Sequence, residues 1–233
     1  MKTTVLRAQI EEKLPSAFTV HRREQCGSIR TGIQTVDTVT GGIPLRALTE
    51  ICGGNTASSG KTSVLTSLLA QASKDRYCAL VDAGDAFDPD SGQVAGINFS
   101  KLLWVRCGKS KAKLRPLEQA FKVADILLQS WGFGLIAVDL SSLPESVVRK
   151  VPLSSWFRFS RIIERQSAAL VFVEQEPHAT SCAGLVLKAH TSPVAFTGKL
   201  LTNCRVSIEV IRGREKRPVQ SERNGFFLPT QWA

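Results

Sequence analysis

The stretch that most constrains this chain is GGNTASSGKTSVL, Gly53 to Leu65. A short apolar run, Leu48-Thr49-Glu50-Ile51-Cys52, leads into it. Val64, Leu65, Leu68, Leu69 and Ala72 follow at helical spacing. A strand, a glycine-rich loop, Gly-Lys-Thr and a helix, in that order, predict an anion site. Successive loop N–H groups converge on the anion, and the helix N-terminus adds its positive dipole end. The binding residues then run through Ser58, Ser59, Gly60, Lys61, Thr62 and Ser63. Lys61 reaches the outer phosphates and the Thr62 hydroxyl ligates Mg²⁺. One position departs from the usual GxxxxGK[ST] pattern, which places glycine where this chain has Asn55; Gly54 leaves five residues before Gly60. Asparagine tolerates left-handed backbone. The alternative is a Gly/Ser-rich turn that happens to contain Gly-Lys-Thr, and the flanking strand and amphipathic helix favour the phosphate site.

The rest of the chain repeats the strand-and-helix theme. Ile33, Val36 and Val39 predict a short helix ending at Gly41-Gly42. The apolar runs Cys78–Asp82, Leu102–Val105, Leu135–Asp139 and Ala169–Val173 have the form of buried parallel strands, two of them ending in an acid. Between them lie a helix opened by Pro116 (Leu117, Phe121, Ala124, Leu127, Leu128) and one over Ser154–Gln166 (Trp156, Phe159, Ile162, Ile163). Residues 83–96 and 176–199 read as loops, the second long enough to be functional. Arg205–Ile211 alternates as a half-buried strand, and Gly225–Leu228 is a final one. The predicted class is α/β, a mostly parallel sheet flanked by helices. The strands' carboxyl ends carry the site and bring Asp82 and Asp139 to one edge.

Residues 1–14 read as an amphipathic helix (Val5, Leu6, Ile10, Leu14) that docks on something else, a neighbouring subunit being one choice. This gives an N-terminal helix and connector over 1–27 and a core over 28–233. The formal charge of +10, from 30 Lys+Arg against 20 Asp+Glu, predicts attraction to polyanions. No apolar run approaches a membrane span and no secretory signal opens the chain, so a cytoplasmic protein is expected. The six cysteines form no CxxC pair and read as buried free thiols. His178 and His190 have no acid or cysteine at ligand spacing and read as loop polars.

Four motifs together resemble the ATPase core of the RecA recombinases: SIRTGIQTVDTVTGGIPLRALTEICGG…SSGKTSVL, VDAGDAFDP, LIAVDLSS and FVEQ, in order over about residues 28–175. The resemblance implies a RecA-like P-loop fold with ATP and Mg²⁺ as cofactors. It assigns Asp139 to the metal's water shell and Gln175 to sensing the γ-phosphate. It assigns the segment 176–197 to DNA, and Asp88 to the adenine edge. Two places depart from the family. Its water-activating glutamate falls at Gly84, which removes an effect on the order of 10²–10⁴ in rate; Asp85, one residue on, is the candidate substitute base. Its adenine-stacking tyrosine falls at Ser91. ATP binding with slow hydrolysis is therefore expected. The length and the degraded catalytic position resemble the RecA-related accessory proteins of bacterial mutagenesis cassettes, the ImuA type, which implies a DNA-damage (SOS) role.

That resemblance implies single-stranded DNA, a translesion polymerase, a polymerase-like partner and further copies of the chain as partners. Arg212 and Arg214 resemble a basic pair that contacts a neighbour's ATP, although a solvated basic hairpin is an equal alternative. Arg158, Arg161 and Arg165 share a helix face after the acidic strand and are candidate DNA-phosphate contacts. Lys109, Lys111, Lys113 and Arg115 form a charge run that is more often only solvated. Trp232 is either a partner anchor or a core cap. Three functions stay open: an ATP-dependent DNA-binding protein, a nucleotide-binding adaptor for a mutagenic polymerase complex that hydrolyses little, and a RecA-derived cell-division inhibitor. The intact Gly60-Lys61-Thr62 argues against the last.

Overall fold

The computed structural model describes residues 27–54, 59–108, 115–191, 195–197, 200–213 and 225–228. The N-terminal helix and connector, Ser58, Lys109, Lys111, Lys113, Arg214 and Trp232 lie outside the described residues.

A two-stranded ribbon pairs β1 (Ser28–Ile29) with β2 (Ile43–Pro44) around α1 (Gln34–Thr40). The helix ends as the paired glycines predict, with Gly41 in the left-handed region at φ 74°. Asp37 ties its start to the preceding turn, accepting from the Thr31 and Gly32 amides at 2.8 and 3.2 Å. The chain then alternates: β3 (Leu48–Cys52), α2 (Lys61–Asp75), β4 (Tyr77–Asp82), α3 (Pro89–Val94), β5 (Leu102–Arg106), α4 (Pro116–Gln129), β6 (Phe133–Asp139), α5 (Glu145–Val148), α6 (Leu153–Ile163) and β7 (Ala169–Glu174). It closes with β8 (Leu185–Thr191), β9 (Ala195–Thr197), β10 (Leu200–Arg212) and β11 (Gly225–Leu228).

Among the described residues nine strands form one sheet, in the order β11-β10-β8-β3-β7-β6-β4-β5 with β9 beside β10. The six strands from β8 to β5 are parallel, and β10 and β11 join antiparallel. Side-chain alternation splits the core into two layers. Ile51, Val171 and Val173 face α2, which buries Val64, Leu65, Leu68, Leu69 and Ala72 completely or nearly so. Leu48, Leu170 and Phe172 face α4 and α6 on the other side. Each such buried side chain contributes about 1.5–3 kcal/mol. In the second layer Phe121, Trp156, Phe159 and Phe172 pack mostly edge-to-face at 4.9–6.1 Å between centroids, fixing α4 and α6 on the sheet. Cys52, Cys78, Cys107 and Cys182 are free, the first three of them buried. No described helix is long and apolar enough to cross a membrane.

Three expectations are corrected. Residues 83–96 are not all loop: Asp88 caps the two-turn helix α3 through the Asp90 and Ser91 amides. Leu102–Arg106 is a strand, but at the sheet's edge and half exposed, because only β4 pairs with it. The segment 176–199 is not one long loop, since β8 and β9 lie inside it and only 176–184 connects β7 to β8. Lys188 and His190 interrupt the apolar pattern of β8, so its strand character comes from the slot beside β3 rather than from its own periodicity.

Candidate phosphate-binding site

The carboxyl edge of the parallel strands collects the motif residues. Helix α2 begins at Gly60, which sits at φ 87° with no side chain capping the helix. The first intrahelical bond runs from Val64 N to Gly60 O, so the amides of Lys61, Thr62 and Ser63 have no partner within the helix. A Cβ at Gly60 would meet Val206 of β10 at 2.5 Å, so the close packing requires glycine as well as the backbone does. The Ser59 hydroxyl is buried with no hydrogen-bond partner among the described residues. Lys61 is largely buried and its Nζ donates to Gly54 O at 2.9 Å. Burial pulls its ammonium below the ordinary lysine range, and Asp139 opposes that shift. An orphaned buried hydroxyl, uncapped helix amides and a loop-facing ammonium fit a polyphosphate. Thr62 is exposed at the mouth of the loop.

Asp139 ends β6 directly beside Asp82, which ends β4. Burial pushes the Asp139 carboxyl up, while Ser141, whose amide donates at 2.9 Å, holds it down. A buried carboxylate beside a lysine ammonium suits the water shell of a divalent cation. Asp82 does other work: it accepts from the Ala86 and Phe87 amides at 3.0 and 2.9 Å and from Trp104 Nε1 at 3.4 Å, which shapes the following turn.

Gln175 joins the two motifs. Its backbone oxygen accepts from Gly53 N and Gly54 N at 3.3 and 2.7 Å, at the start of the phosphate loop. Its side-chain amide donates to Ser141 O and Leu143 O at 3.2 and 2.9 Å, in the turn after Asp139. One residue therefore spans the loop and the acidic strand.

The remaining candidates have clear positions. Asp85 sits at φ 55° and chelates the Arg106 guanidinium with both carboxylate oxygens, which turns it toward the edge strand β5. Gly84 is filled from outside, because a Cβ there would lie 1.7 Å from Ser142 Oγ. Asp88 is exposed, and hydrogen bonds from Ser91, side chain and amide, hold its carboxyl below the ordinary range. Arg158 and Arg161 lie on the outer face of α6 and Arg165 in the turn just after it; the helix runs away from this site toward the amino edge of the strands. Arg158 there pairs with Asp125 at 2.6 Å. Arg212 ends β10 opposite Val186, also at the amino edge, and donates to Thr180 O. His190 lies in β8 and reaches Glu209 at 3.3 Å.

Sequence reasoning overlooked a buried acid cluster beneath residues 176–184. Glu50 Oε1 accepts from the His178 and Ala179 amides at 2.6 and 2.5 Å. His178 Nδ1 lies 2.6 Å from Glu174 Oε2. Burial raises the Glu174 carboxyl to about 7 and raises Glu50; the bond to Glu174 raises His178. The connection from β7 to β8 crosses the sheet face without a helix, so its backbone amides need an acceptor, and Glu50 supplies one. The signal was present: a glutamate inside the apolar run Leu48–Cys52 must find partners.

Known proteins place this arrangement. A family model described as the RecA N-terminal domain matches residues 13–150. Protein RecA of Pseudomonas fluorescens strain SBW25 is 35% identical over 122 residues, 51% of this chain and 32% of that protein. Protein RecA of Pseudomonas tolaasii and of Pseudomonas savastanoi pv. phaseolicola match to the same extent. The match thus spans about a third of these relatives' own length.

Proposed function

Because the chain belongs to the RecA N-terminal domain family, we propose that it binds ATP with Mg²⁺ and acts on single-stranded DNA. Ser59, Gly60, Lys61, Thr62 and Ser63 would hold the phosphates, with Ser58 in the same loop, and Asp88 would stand at the adenine edge. Thr62 and, through water, Asp139 would hold the cation, which neutralises phosphate charge when bound. The observation that carries this reading is Gln175, bonded through its backbone to Gly53 and Gly54 and through its side chain to the turn after Asp139. A change of charge at the phosphate loop would be felt at the start of 176–197, the proposed DNA segment. Arg212 and Arg214 would reach a neighbouring copy's ATP; Arg212 stands at the edge away from its own phosphate loop, which favours a contact in trans over one in cis.

Within that frame the chain serves the bacterial DNA-damage response in the cytoplasm, as an ImuA-type accessory to error-prone translesion synthesis, and hydrolyses ATP slowly. Slow hydrolysis is supported by Gly84, whose side-chain space is taken by Ser142, and by the Arg106-bound Asp85. The same two observations favour a second reading, a non-hydrolysing nucleotide-binding adaptor for the polymerase and its polymerase-like partner. ATP binding and turnover, with and without single-stranded DNA, separate the two. The parent, Lys61→Ala, Gln175→Ala and Asp85→Asn would be compared. DNA-stimulated turnover lost in Lys61→Ala and Gln175→Ala supports the ATPase. Tight ATP binding with negligible turnover in either condition supports the adaptor. Absence of Lys61-dependent ATP binding refutes both.

A further inference from the structure

We propose that a trough along the amino edge of the sheet, remote from the phosphate loop, docks an acidic amphipathic segment of a protein partner. Its centre is a cavity of about 670 Å³ between the end of α4 and α6. Leu128, Phe157 and Ile162 form its apolar wall, and Arg158, Arg161 and Arg165 border it at helical spacing. Two further cavities of about 440 Å³ continue it. Trp131 borders the first of these as well as the centre, next to Leu103 of the edge strand; Phe157 and Arg161 border the second, which ends at Arg212. Shared walls make the three one continuous feature.

Two properties specify the occupant. The first is exposed apolar surface. Among the residues lining these cavities, Trp131 is 79% exposed, and Leu103 and Phe157 are also open to solvent. Large apolar side chains gathered around a cavity mark an interaction surface. Their company of arginines is the composition of protein-interface hot spots. The second is charge. Arg158 is answered by Asp125, but the guanidinium groups of Arg161 and Arg165 make no hydrogen bond or ion pair among the described residues. They stand in a chain of net charge +10. Unanswered arginines beside an apolar cavity are complementary to carboxylates flanking an apolar anchor. Nucleic acid fits less well, since a strand held through its phosphates would use the arginines but leave Leu128 and Ile162 without an apolar partner. The expectation that these arginines hold DNA phosphates is the competing reading, and the oligothymidylate arm of the test separates the two. The inference does not rest on nucleotide binding, whose residues occupy the opposite edge.

The test uses the full chain and a fluorescein-labelled synthetic helix of about 15 residues. The helix carries Leu at i, i+3, i+4 and i+7 with Glu elsewhere, and a matched peptide has Lys in place of Glu. Anisotropy should show the acidic peptide binding. Arg161→Glu with Arg165→Glu should weaken it at least about tenfold while strengthening the basic peptide, and Trp131→Ala should weaken both. Lys61→Ala should change neither, so failure of the nucleotide reading leaves this result standing. The side chains substituted in the trough are exposed, and circular dichroism verifies the fold of every variant. The proposal is overturned if acidic and basic peptides bind alike. It is also overturned if the double variant loses labelled oligothymidylate but keeps the peptide. A third overturning result is dissociation of a homo-oligomer in sedimentation with no change in peptide affinity.

Discussion

At the scale of single residues, Gly84 shows how a missing side chain becomes permanent. Ser142 Oγ occupies the place where a Cβ would stand, so Gly84→Ala forces the Ser142 side chain, itself exposed, into another rotamer. Thermal denaturation should report a loss of about 0.5–1.5 kcal/mol, largely recovered in Gly84→Ala with Ser142→Gly. Gly84→Glu by itself should therefore lower stability without raising ATP turnover. Full activity in that single variant, at unchanged melting temperature, would contradict the steric argument. Asp85 illustrates the companion point. The sequence offers a carboxylate one residue from the vacated position, but its left-handed backbone and Arg106 direct it to the edge strand.

At the scale of elements, the helix-free crossover after β7 depends on buried ionisable groups. Glu174 is raised from 4.5 to about 7, and Glu50 and His178 are raised too. All three groups bind protons more tightly in the folded state than unfolded. Their contribution to stability is present at low pH and declines as pH rises through the folded values, with a slope of at most about 1.4 kcal/mol per unit and group. The groups facing them are Glu145, 3.9 Å from His178, and Cys52 and Cys182, whose thiols are raised by burial and stay protonated across this range. Amide exchange in residues 176–184 should accelerate between pH 5.5 and 8 beyond its intrinsic pH dependence. Glu174→Gln, which cannot ionise, should flatten that excess; an unchanged excess would remove Glu174 from the account. The aromatic group under α6 is the second element-scale determinant. Trp156→Ala should cost about 3–5 kcal/mol in chemical denaturation, because the residue is 1% exposed and packs on both Phe121 and Phe172.

At the scale of the whole molecule, the two proposed sites fall at opposite edges of one sheet. The carboxyl edge gathers Lys61, Thr62, Asp139 and Gln175; the amino edge gathers Trp131, Phe157, Arg161 and Arg165. Lys61→Ala, whose native amine donates to a loop carbonyl, should fold normally and lose ATP affinity by at least about tenfold, leaving the amino-edge surface unaltered. Isothermal titration with ATP and Mg²⁺ measures this directly, and undiminished affinity would place the nucleotide elsewhere. By itself, the sequence determined the alternation of strands and helices, the buried face of α2, the phosphate-loop residues and the adjacency of Asp82 and Asp139. These follow from local period, glycine geometry and the rule that parallel strands align their ends. Only the tertiary structure decided that β8 is a strand, that Asp85 faces Arg106, that Ser142 fills the space at Gly84 and that the α6 arginines border an apolar trough at the far edge. Each of these depends on which side chain arrives from a distant segment, and chain-local periodicity carries no information about that arrival.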